Sequence, residues 1–488
     1  MTSKKWSRFL LKTIPFFMFL FTNSLAFGQE AANHGGYNGA ELSLLWTIPF
    51  IGILLSIALF PLFAPDFWEH HFGKVSAGWS LVIILPMIIE FGLHVTLFEV
   101  LHTYLLEYFP FIILLLALFT IAGGVRITGE LSGSPGVNTL LLLIGTILAS
   151  WMGTTGAAML MIRPVLRANE WRKHKIHTVI FFIFLVANIG GALTPLGDPP
   201  LFLGFLQGVH FFWTTEHLFL EMTFVVSILL VLYYFWDRAA YKKETSKPPE
   251  SNGEKIGIEG SFNLLLLLGV VGAVLFSGFV KLGDFTIYGI HIPIQNEIRD
   301  IAMLVLAYAS WKFTPKESRA ANGFDWFPII EVGKLFAGIF ITIIPAIAIL
   351  RAGESGALGS VVKLVTHPDG SPNDHMYFWI TGLLSSFLDN TPTYLVFFNT
   401  AGGHAAELMT TYASTLVAIS CGAVFMGANS YIGNAPNFMV KSIAESDGVD
   451  MPSFLGYMKW SAGILIPTFI VFSLIFPYIE KAMEVLLS

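Results

Sequence analysis

The chain has 488 residues, of which 55% are hydrophobic and only 12% are charged, and its formal net charge is −6. Soluble globular domains carry about 25% charged residues, so this composition excludes a largely water-facing surface and favours contact with lipid. No large basic face supports nucleic-acid binding. The single cysteine, Cys421, excludes an internal disulfide and fits a small core side chain.

The N-terminus has the features of a secretory signal peptide. Basic residues between Lys4 and Lys12 precede the apolar stretch 14–20, and a small-x-small pattern follows at 26–28. The pattern predicts a cleaved signal peptide over 1–28, with an uncleaved first helix as the alternative. In both cases the residues that follow face outside the cytoplasm.

Apolar stretches fill the rest of the chain and predict an all-α polytopic membrane protein, because a helix needs about 20 apolar residues to cross the hydrocarbon core. Two long stretches, 177–210 and 415–444, are broken by Gly, Pro, Asn and Asp. Two others, 139–166 and 377–400, carry polar clusters at their middles. The full-length candidates are 44–63, 81–100, 109–127, 218–236, 264–280, 301–313, 329–350 and 464–479.

Lysine and arginine predict the orientation of these stretches. The basic loops 163–175, 237–260 and 312–319 are expected in the cytoplasm, and segments without either residue, such as 102–108, are expected to be external loops. With this orientation, the two polar-centred stretches each enter and leave the membrane on one side. Each is therefore predicted to be a re-entrant hairpin, within a total of about eleven transmembrane helices.

The chain divides into two halves of similar organisation. The polar loop 237–260 is the predicted cytoplasmic linker between a first membrane repeat, 29–236, and a second, 261–488. Each half contains one predicted hairpin followed by one broken stretch. The first hairpin opens inward and the second outward, which is the arrangement of an inverted-topology repeat.

Residue spacing supports the repeat. When Thr155 is aligned with Thr391, Asp198 falls on Asn434, because both pairs are 43 residues apart (198 − 155 and 434 − 391). Broken helices in corresponding positions of two inverted repeats indicate the binding site of a transporter.

The break at 197–200 frees backbone carbonyl and amide groups at mid-membrane depth, where no water satisfies them. Such a break is tolerated where the freed groups bind something, and carbonyl, Thr and Asn oxygens suit Na⁺. Two carboxylates, Asp198 and Asp389, lie at the break and at the second hairpin tip, and acidic residues within membrane spans are usually functional. One such carboxylate can hold either a proton or Na⁺. A structural alternative is that Asp198 caps the helix that follows it.

The predicted ion-binding and proton-coupling residues combine these carboxylates with neutral oxygen donors. They are Asp198, Asp389, Asn390, Thr391, Thr154, Thr155 and Asn434. Sodium is expected at Asp198, Asp389 and Asn390, with no resident cofactor. The sequence has no HExxH or P-loop motif in a suitable context, so an ATP-driven pump or an intramembrane metalloprotease has no support.

The segments Ser-Phe-Leu-Asp-Asn at 386–390 and Ala-Leu-Thr-Pro-Leu-Gly-Asp-Pro at 192–199 resemble the second hairpin and first broken helix of the ion transporter superfamily. Within it, the chain resembles the NhaD-type sodium/proton antiporters and their citrate-transporter-like relatives over about residues 43–485. The resemblance implies a mobile transport domain that slides against a dimerising scaffold. It also implies that both carboxylates lie at the cation site with Asn390 and Thr391.

Two functions follow as expectations. The first is exchange of Na⁺ or Li⁺ for H⁺ by alternating access across a bacterial inner membrane, in which case Asp198→Asn or Asp389→Asn abolishes exchange. The alternative is Na⁺- or H⁺-coupled uptake of a carboxylate such as citrate, which needs extra cations to offset the two aspartates. In both cases the partners are ions and the lipid bilayer, and the resemblance implies a homodimer.

Overall fold

A computed structural model describes residues 38–129, 131–246, 248 and 255–487. The prediction of a signal peptide over 1–28 lies outside these residues.

Helices dominate the described structure, which confirms the all-α polytopic fold. The first half contains α1 (Ile48–Phe63), α2 (Pro65–Thr103), α3 (Phe109–Ala122), α4 (Pro135–Met152), α5 (Thr154–Ala168), α6 (Ile176–Leu185), α7 (Pro199–Leu206) and α8 (Trp213–Tyr241). The second half contains α9 (Phe262–Phe279), α10 (Ile294–Phe313), α11 (Lys316–Ala321), α12 (Phe327–Thr342), α13 (Ile344–Arg351), α14 (Gly359–Leu364), α15 (Asp374–Ser385), α16 (Asn390–Thr400), α17 (Ala405–Met409), α18 (Ala413–Met426), α19 (Ala435–Ser446), α20 (Phe454–Trp460) and α21 (Ile466–Leu487).

Two short antiparallel strand pairs join this helical framework. Strand β1 (Arg126–Thr128) pairs with β2 (Gly257–Glu259), and β3 (Asp284–Ile287) pairs with β4 (Ile290–Pro293). The first pair connects the two halves of the chain. Because α8 runs to Tyr241 and β2 begins at Gly257, both ends of the predicted linker lie in regular structure.

Seven helices in the described part of the chain are long and apolar enough to cross a membrane, or eight when α12 and α13, bent by 44°, count as one span. The count of about eleven also includes shorter and more polar helices, and that number stays a prediction. One predicted boundary is wrong. The segment 102–108 is no loop but continues from α2 through a π-helical turn, Tyr104–Tyr108, into α3. The chain breaks instead inside the predicted span 81–100, at Gly92, whose φ of 81° suits a residue without a Cβ.

Both polar-centred stretches fold back on themselves. In the first, α4 and α5 are joined by Gly153 alone. Gly145 and Met161 lie equally far before and after Gly153 in the sequence, and a Cβ on Gly145 would lie 3.6 Å from Cγ of Met161, so the two helices run back along each other. In the second, α15 and α16 contact each other through the rings of Tyr377 and Phe397, with centroids 6.3 Å apart. We call these helix pairs the first and second hairpins. Their entry and exit on one face of the membrane stays a prediction.

A buried ion pair anchors the base of the first hairpin. Asp237 near the end of α8 accepts bonds from Arg172 at 2.5 and 3.1 Å, from His177 at 2.7 Å and from Asn138 of α4 at 3.1 Å. The Arg172 and Asp237 side chains are both 0% exposed. Removal of one partner of a buried pair leaves an uncompensated charge away from water, which costs about 3–5 kcal/mol.

Asp237→Ala is therefore expected to lower the stability of the protein by about that amount. Thermal unfolding of the detergent-purified protein measures the change. Glu259→Ala is the matched control, because its bond to Arg126 at 3.3 Å joins side chains that are 47% and 31% exposed. Such surface pairs contribute about 0–1 kcal/mol. Equal losses in the two variants would contradict the assignment of Asp237 as an anchor.

Candidate functional site

Two helices are broken at corresponding places in the two halves. In the first broken helix, α6 is followed by the 3₁₀ turn Ile189–Leu193, a turn over 194–198 and α7. In the second broken helix, α18 is followed by the 3₁₀ turn Gly427–Asn429, a bend over 430–434 and α19. These connecting segments end at Asp198 and Asn434, which have nearly the same extended backbone angles (φ, ψ), −139° and 139° for Asp198 and −152° and 138° for Asn434.

The bonds between each hairpin and its broken helix repeat as well. The Thr194 hydroxyl donates to the carbonyl of Ser150, and the Ser430 hydroxyl donates to the carbonyl of Ser386 at 2.5 Å. In each case the backbone N–H two residues further on donates to the same hydroxyl, at 3.1 and 3.2 Å. The two segments therefore share one local structure, in the register given by the sequence alignment.

Asp198 lies where all four of these elements meet. Its Oδ1 accepts hydrogen bonds from Thr154 Oγ1 at 2.9 Å and from Asn434 Nδ2 at 3.2 Å. Its Oδ2 accepts a hydrogen bond from Asn390 Nδ2 at 2.5 Å. The residue is 1% exposed. The donors come from the first hairpin, the second hairpin and the second broken helix, so this carboxylate joins the two halves of the chain.

The alternative that Asp198 caps α7 is not what the structure shows. Asp198 occupies the N-cap position, but its side chain makes no capping hydrogen bond. Both of its oxygens are directed at side chains instead. Among the ion pairs in the described part of the chain, none involves Asp198, so its bonded partners there are neutral.

The other predicted residues lie nearby, in different roles. Asp389 is half-buried and caps α16, because its Oδ1 accepts the N–H of Thr391 at 3.0 Å. The Thr391 hydroxyl donates to Oδ1 of Asn390 at 3.2 Å and so orients the amide that contacts Asp198. Thr155 is half-buried and lines a cleft beside the first hairpin tip. Of the three residues expected to hold sodium, Asp198 and Asn390 are in direct contact.

The capping bond gives a way to separate charge from structure at Asp389. Asparagine caps a helix about as well as aspartate, so Asp389→Asn removes the charge and keeps the cap. If Asp389 serves the ion exchange that the sequence predicts, Asp389→Asn abolishes it, while Asp389→Ala also loses about 1 kcal/mol of stability. Asn373→Ala is the control, since Asn373 caps α15 by accepting the N–H of Met376 at 3.1 Å. Unchanged exchange in Asp389→Asn would assign Asp389 a capping role alone.

Two buried asparagines in the broken helices are not among the predicted site residues. Asn188 and Asn437 are both 0% exposed, and the Asn188 amide donates to Oδ1 of Asn437 at 2.6 Å. Oδ1 of Asn188 is buried without a hydrogen-bond partner. The Asn434 amide, which donates to Asp198, also donates to the backbone carbonyl of Ala187 at 3.2 Å. Asn188, whose Oδ1 has no partner, is the next residue after Ala187. In the sequence, the feature that could have indicated them is an asparagine inside an otherwise apolar stretch, in each of the two broken stretches.

A small cleft of about 80 Å³ lies beside the first hairpin tip. Its walls come from α3, the hairpin tip, the first broken helix, the start of α12 and the start of α19. Its polar residues, Thr154 and Thr155, belong to the candidate set. Within the described residues, no group of three or more His, Cys, Asp or Glu could hold a metal ion. The cleft thus leads to the hairpin tip whose first threonine bonds Asp198.

Comparison with known proteins agrees with this architecture. The Na(+)/H(+) antiporter NhaD of Halomonas elongata is 29% identical over 213 residues, which are 40% of this chain and 41% of that protein. The P proteins of Sus scrofa and Mus musculus are 29% and 28% identical over 123 residues, which are 24% of this chain and 15% of each protein. The chain therefore matches less than half the length of each of these curated relatives.

A family model covers much more of the chain. The model described as "Putative citrate transport" matches residues 39–477, which include both hairpins, both broken helices and every candidate residue. The family model and the NhaD relative are described as transporters and not as enzymes. The chain therefore belongs to this transporter family, and it is a multi-pass membrane protein.

Proposed function

We propose that this chain is a secondary active transporter that exchanges Na⁺ or Li⁺ for H⁺ at Asp198. The observation that carries the proposal is a carboxylate that is 1% exposed and is contacted by Thr154, Asn390 and Asn434, three neutral donors. The proposal includes a bacterial inner membrane, a homodimer and the absence of a resident cofactor, for which the family resemblance is the support.

An ionised carboxylate in this position needs a positive partner. Transfer of a carboxylate from water to a protein interior costs several kcal/mol, and neutral hydrogen bonds offset only part of that cost. Among the residues that the structure describes, no basic side chain forms an ion pair with Asp198, so a proton or a cation has to supply the positive charge. The two compete for the same oxygens, because a protonated carboxyl has no charge with which to hold Na⁺. This competition is the exchange step.

The surrounding oxygens suit a small hard cation. The hydroxyl of Thr154 and the amide oxygens of Asn390 and Asn434 can turn toward a bound ion, and the broken helices leave backbone carbonyls beside them. Carboxylate, carbonyl and hydroxyl oxygens are the ligands that hard cations prefer. Asn188 Oδ1, which is buried and has no hydrogen-bond partner, is a further neutral oxygen nearby.

Alternating access requires that one side of the site be open while the other is closed. The cleft is lined by Pro328 and Ile329 of α12, which follow the basic loop 312–319 that is expected in the cytoplasm. At the far end of α7, a Cβ on Gly204 would lie 2.4 Å from the hydroxyl of Tyr394, so α7 and α16 pack tightly there. This asymmetry supports a state that is open inward and closed outward.

The second candidate function is coupled uptake of a carboxylate such as citrate, and the description of the family favours it. A tricarboxylate is usually bound by Arg, Lys or several N–H donors. The described residues that line the cleft include no Arg, Lys or His. For this reason cation exchange is preferred here.

The test is dissipation of a preformed pH gradient in everted membrane vesicles on addition of Na⁺, Li⁺, K⁺ or citrate. A response to Na⁺ or Li⁺ that is absent from vesicles without the transporter would support the exchange. No response to any cation, together with Na⁺-dependent uptake of labelled citrate in right-side-out vesicles, would establish the second candidate and overturn the first.

A further inference from the structure

A second acidic residue lies deep inside the protein, away from Asp198. Glu221 is on α8, two turns beyond Trp213, and it is 0% exposed. Within the part of the chain that the structure describes, neither of its carboxyl oxygens has a hydrogen-bond partner. Leu218 and Val225, one turn away on each side along α8, are also 0% exposed. The carboxyl group is thus held in apolar packing within a helix that is long and apolar enough to span the membrane.

The helices packed against α8 offer Glu221 no positive partner. They include α4, α6, α18 and α21 together with the 3₁₀ turn of the first broken helix. Neither α4 nor the 3₁₀ turn contains a titratable residue, and α6 contributes only His177, which is bonded to Asp237 toward the other end of α8. These neighbouring helices contribute Cys421 of α18 and Glu480 of α21 as titratable groups on this side. On α8 itself, His217 lies one turn before Glu221, but its Nδ1 is 3.0 Å from the carbonyl oxygen of Trp213 and its ring stacks on that of Trp213.

Two further titratable residues of α21, Tyr478 and Lys481, do not change this. Tyr478 is 75% exposed and Lys481 is exposed. None of the ion pairs in the described part of the chain involves Glu221. An ionised glutamate would be costly here, whereas a leucine or a methionine would fill the same space at no electrostatic cost.

Ionisable residues inside membrane spans are expensive and usually serve transport. The ligand that suits this position is a proton. A metal cation needs several oxygen ligands, and Glu221 has apolar neighbours where Asp198 has Thr154, Asn390 and Asn434. A proton needs only the carboxylate itself.

We propose that Glu221 is a second proton-binding residue, which takes up and releases a proton in each cycle while Asp198 exchanges its proton for Na⁺. A groove between α8 and α21 is lined by Leu220, Thr223 and Ser227 of α8 and by Ile479 of α21, the residues next to Glu221 and Glu480 among them. In this proposal Glu480, which is half-buried on α21, passes protons between Glu221 and the outside of the protein. This inference rests on the proposed function, and it predicts that two protons move for each Na⁺, so that exchange carries net charge.

Proton binding can be measured without transport. Infrared difference spectra of the purified protein in lipid, recorded as the pH is raised, report the C=O band of protonated carboxyl groups. Glu221→Gln is expected to remove one component of the band that Asp198→Asn retains. A spectrum of Glu221→Gln that equals the wild-type spectrum would overturn the proposal. Glu221→Met, which fits the apolar site, provides the same comparison where the glutamine variant folds poorly.

Coupling is measured in proteoliposomes with an imposed membrane potential. Wild-type Na⁺/H⁺ exchange is expected to accelerate several-fold under a potential that draws positive charge in the direction of proton movement. Glu221→Gln is expected to continue exchange and to lose this response. A wild-type exchange rate that does not change with the membrane potential would overturn the role of Glu221 in coupling. A Glu221→Gln rate that still changes with the potential would overturn it as well. Absence of any Na⁺/H⁺ exchange in the wild type would overturn the proposed function, and the infrared comparison would remain readable.

Discussion

Asp198→Asn is expected to reduce Na⁺-driven proton movement in everted vesicles to the background of vesicles that lack the transporter. The amide has nearly the same shape as the carboxylate, but it can neither release a proton nor neutralise Na⁺. Its NH₂ group would also face a donor, because both carboxylate oxygens now accept hydrogen bonds, from Thr154 and Asn434 on one oxygen and from Asn390 on the other. The loss should affect Na⁺ and Li⁺ equally.

The controls for Asp198→Asn separate lost chemistry from lost protein. The amount of the variant in the membrane and its elution in size-exclusion chromatography should match the wild type, because an isosteric change disturbs packing little. Asn434→Ala, which removes one of the three donors and leaves the charge, should weaken Na⁺ affinity without abolishing exchange. Substantial exchange in Asp198→Asn with only a shifted pH dependence would contradict the assignment of Asp198 as the exchanging group.

Gly197→Ala is expected to inactivate transport and to destabilise the protein, since the backbone of the first break has no room for a side chain. A Cβ on Gly197 would lie 2.2 Å from the carbonyl oxygen of Gly191 and 2.9 Å from Cα of Ser150. Both contacts are with backbone, which cannot rotate away. Overpacking of this kind typically costs about 1–3 kcal/mol, and the displacement would also move Asp198, the next residue.

Gly433→Ala, the equivalent change in the second half, is expected to have the same effect. A Cβ on Gly433 would lie 2.5 Å from the carbonyl oxygen of Gly427, the contact equivalent to that of Gly197 with Gly191. Gly272→Ala is the matched control, because Gly272 lies within α9 and has nothing within 4 Å of the added carbon. There alanine should be neutral or stabilising by up to about 1 kcal/mol. Thermal unfolding and vesicle transport measure both effects, and an active, stable Gly197→Ala variant would contradict the tight crossing.

Local features of the sequence predicted most of the fold. Hydrophobic stretches predicted the long helices. Gly and Pro near Asp198 predicted the first break, because these residues change the backbone conformation within a few positions of where they stand. The same reasoning was wrong at 102–108, where a segment without Gly or Pro stays helical, and it missed the break at Gly92. Hydrophobicity alone does not reveal where a continuous apolar run bends.

The candidate site was predicted as a set of residues and not as an arrangement. The predicted set contained Asp198, Asn390 and Asn434, and the structure shows that both asparagines donate to Asp198. The capping role of Asp389 and the pair of buried asparagines, Asn188 and Asn437, were not predicted. A polar residue in an apolar stretch gives the same signal whether it faces a ligand, another helix or its own helix end.

The sequence by itself therefore determined that this protein is a helical membrane protein and that Asp198 and Asp389 lie where apolar stretches are interrupted. Those properties depend on neighbouring residues and on the cost of polar groups in lipid. Only the tertiary structure decided that Asn390 and Asn434, 192 and 236 positions away, donate to Asp198, and that the buried oxygens of Glu221 have no hydrogen-bond partner among the described residues. Such facts depend on how distant helices cross, and crossing is fixed by packing across the whole molecule.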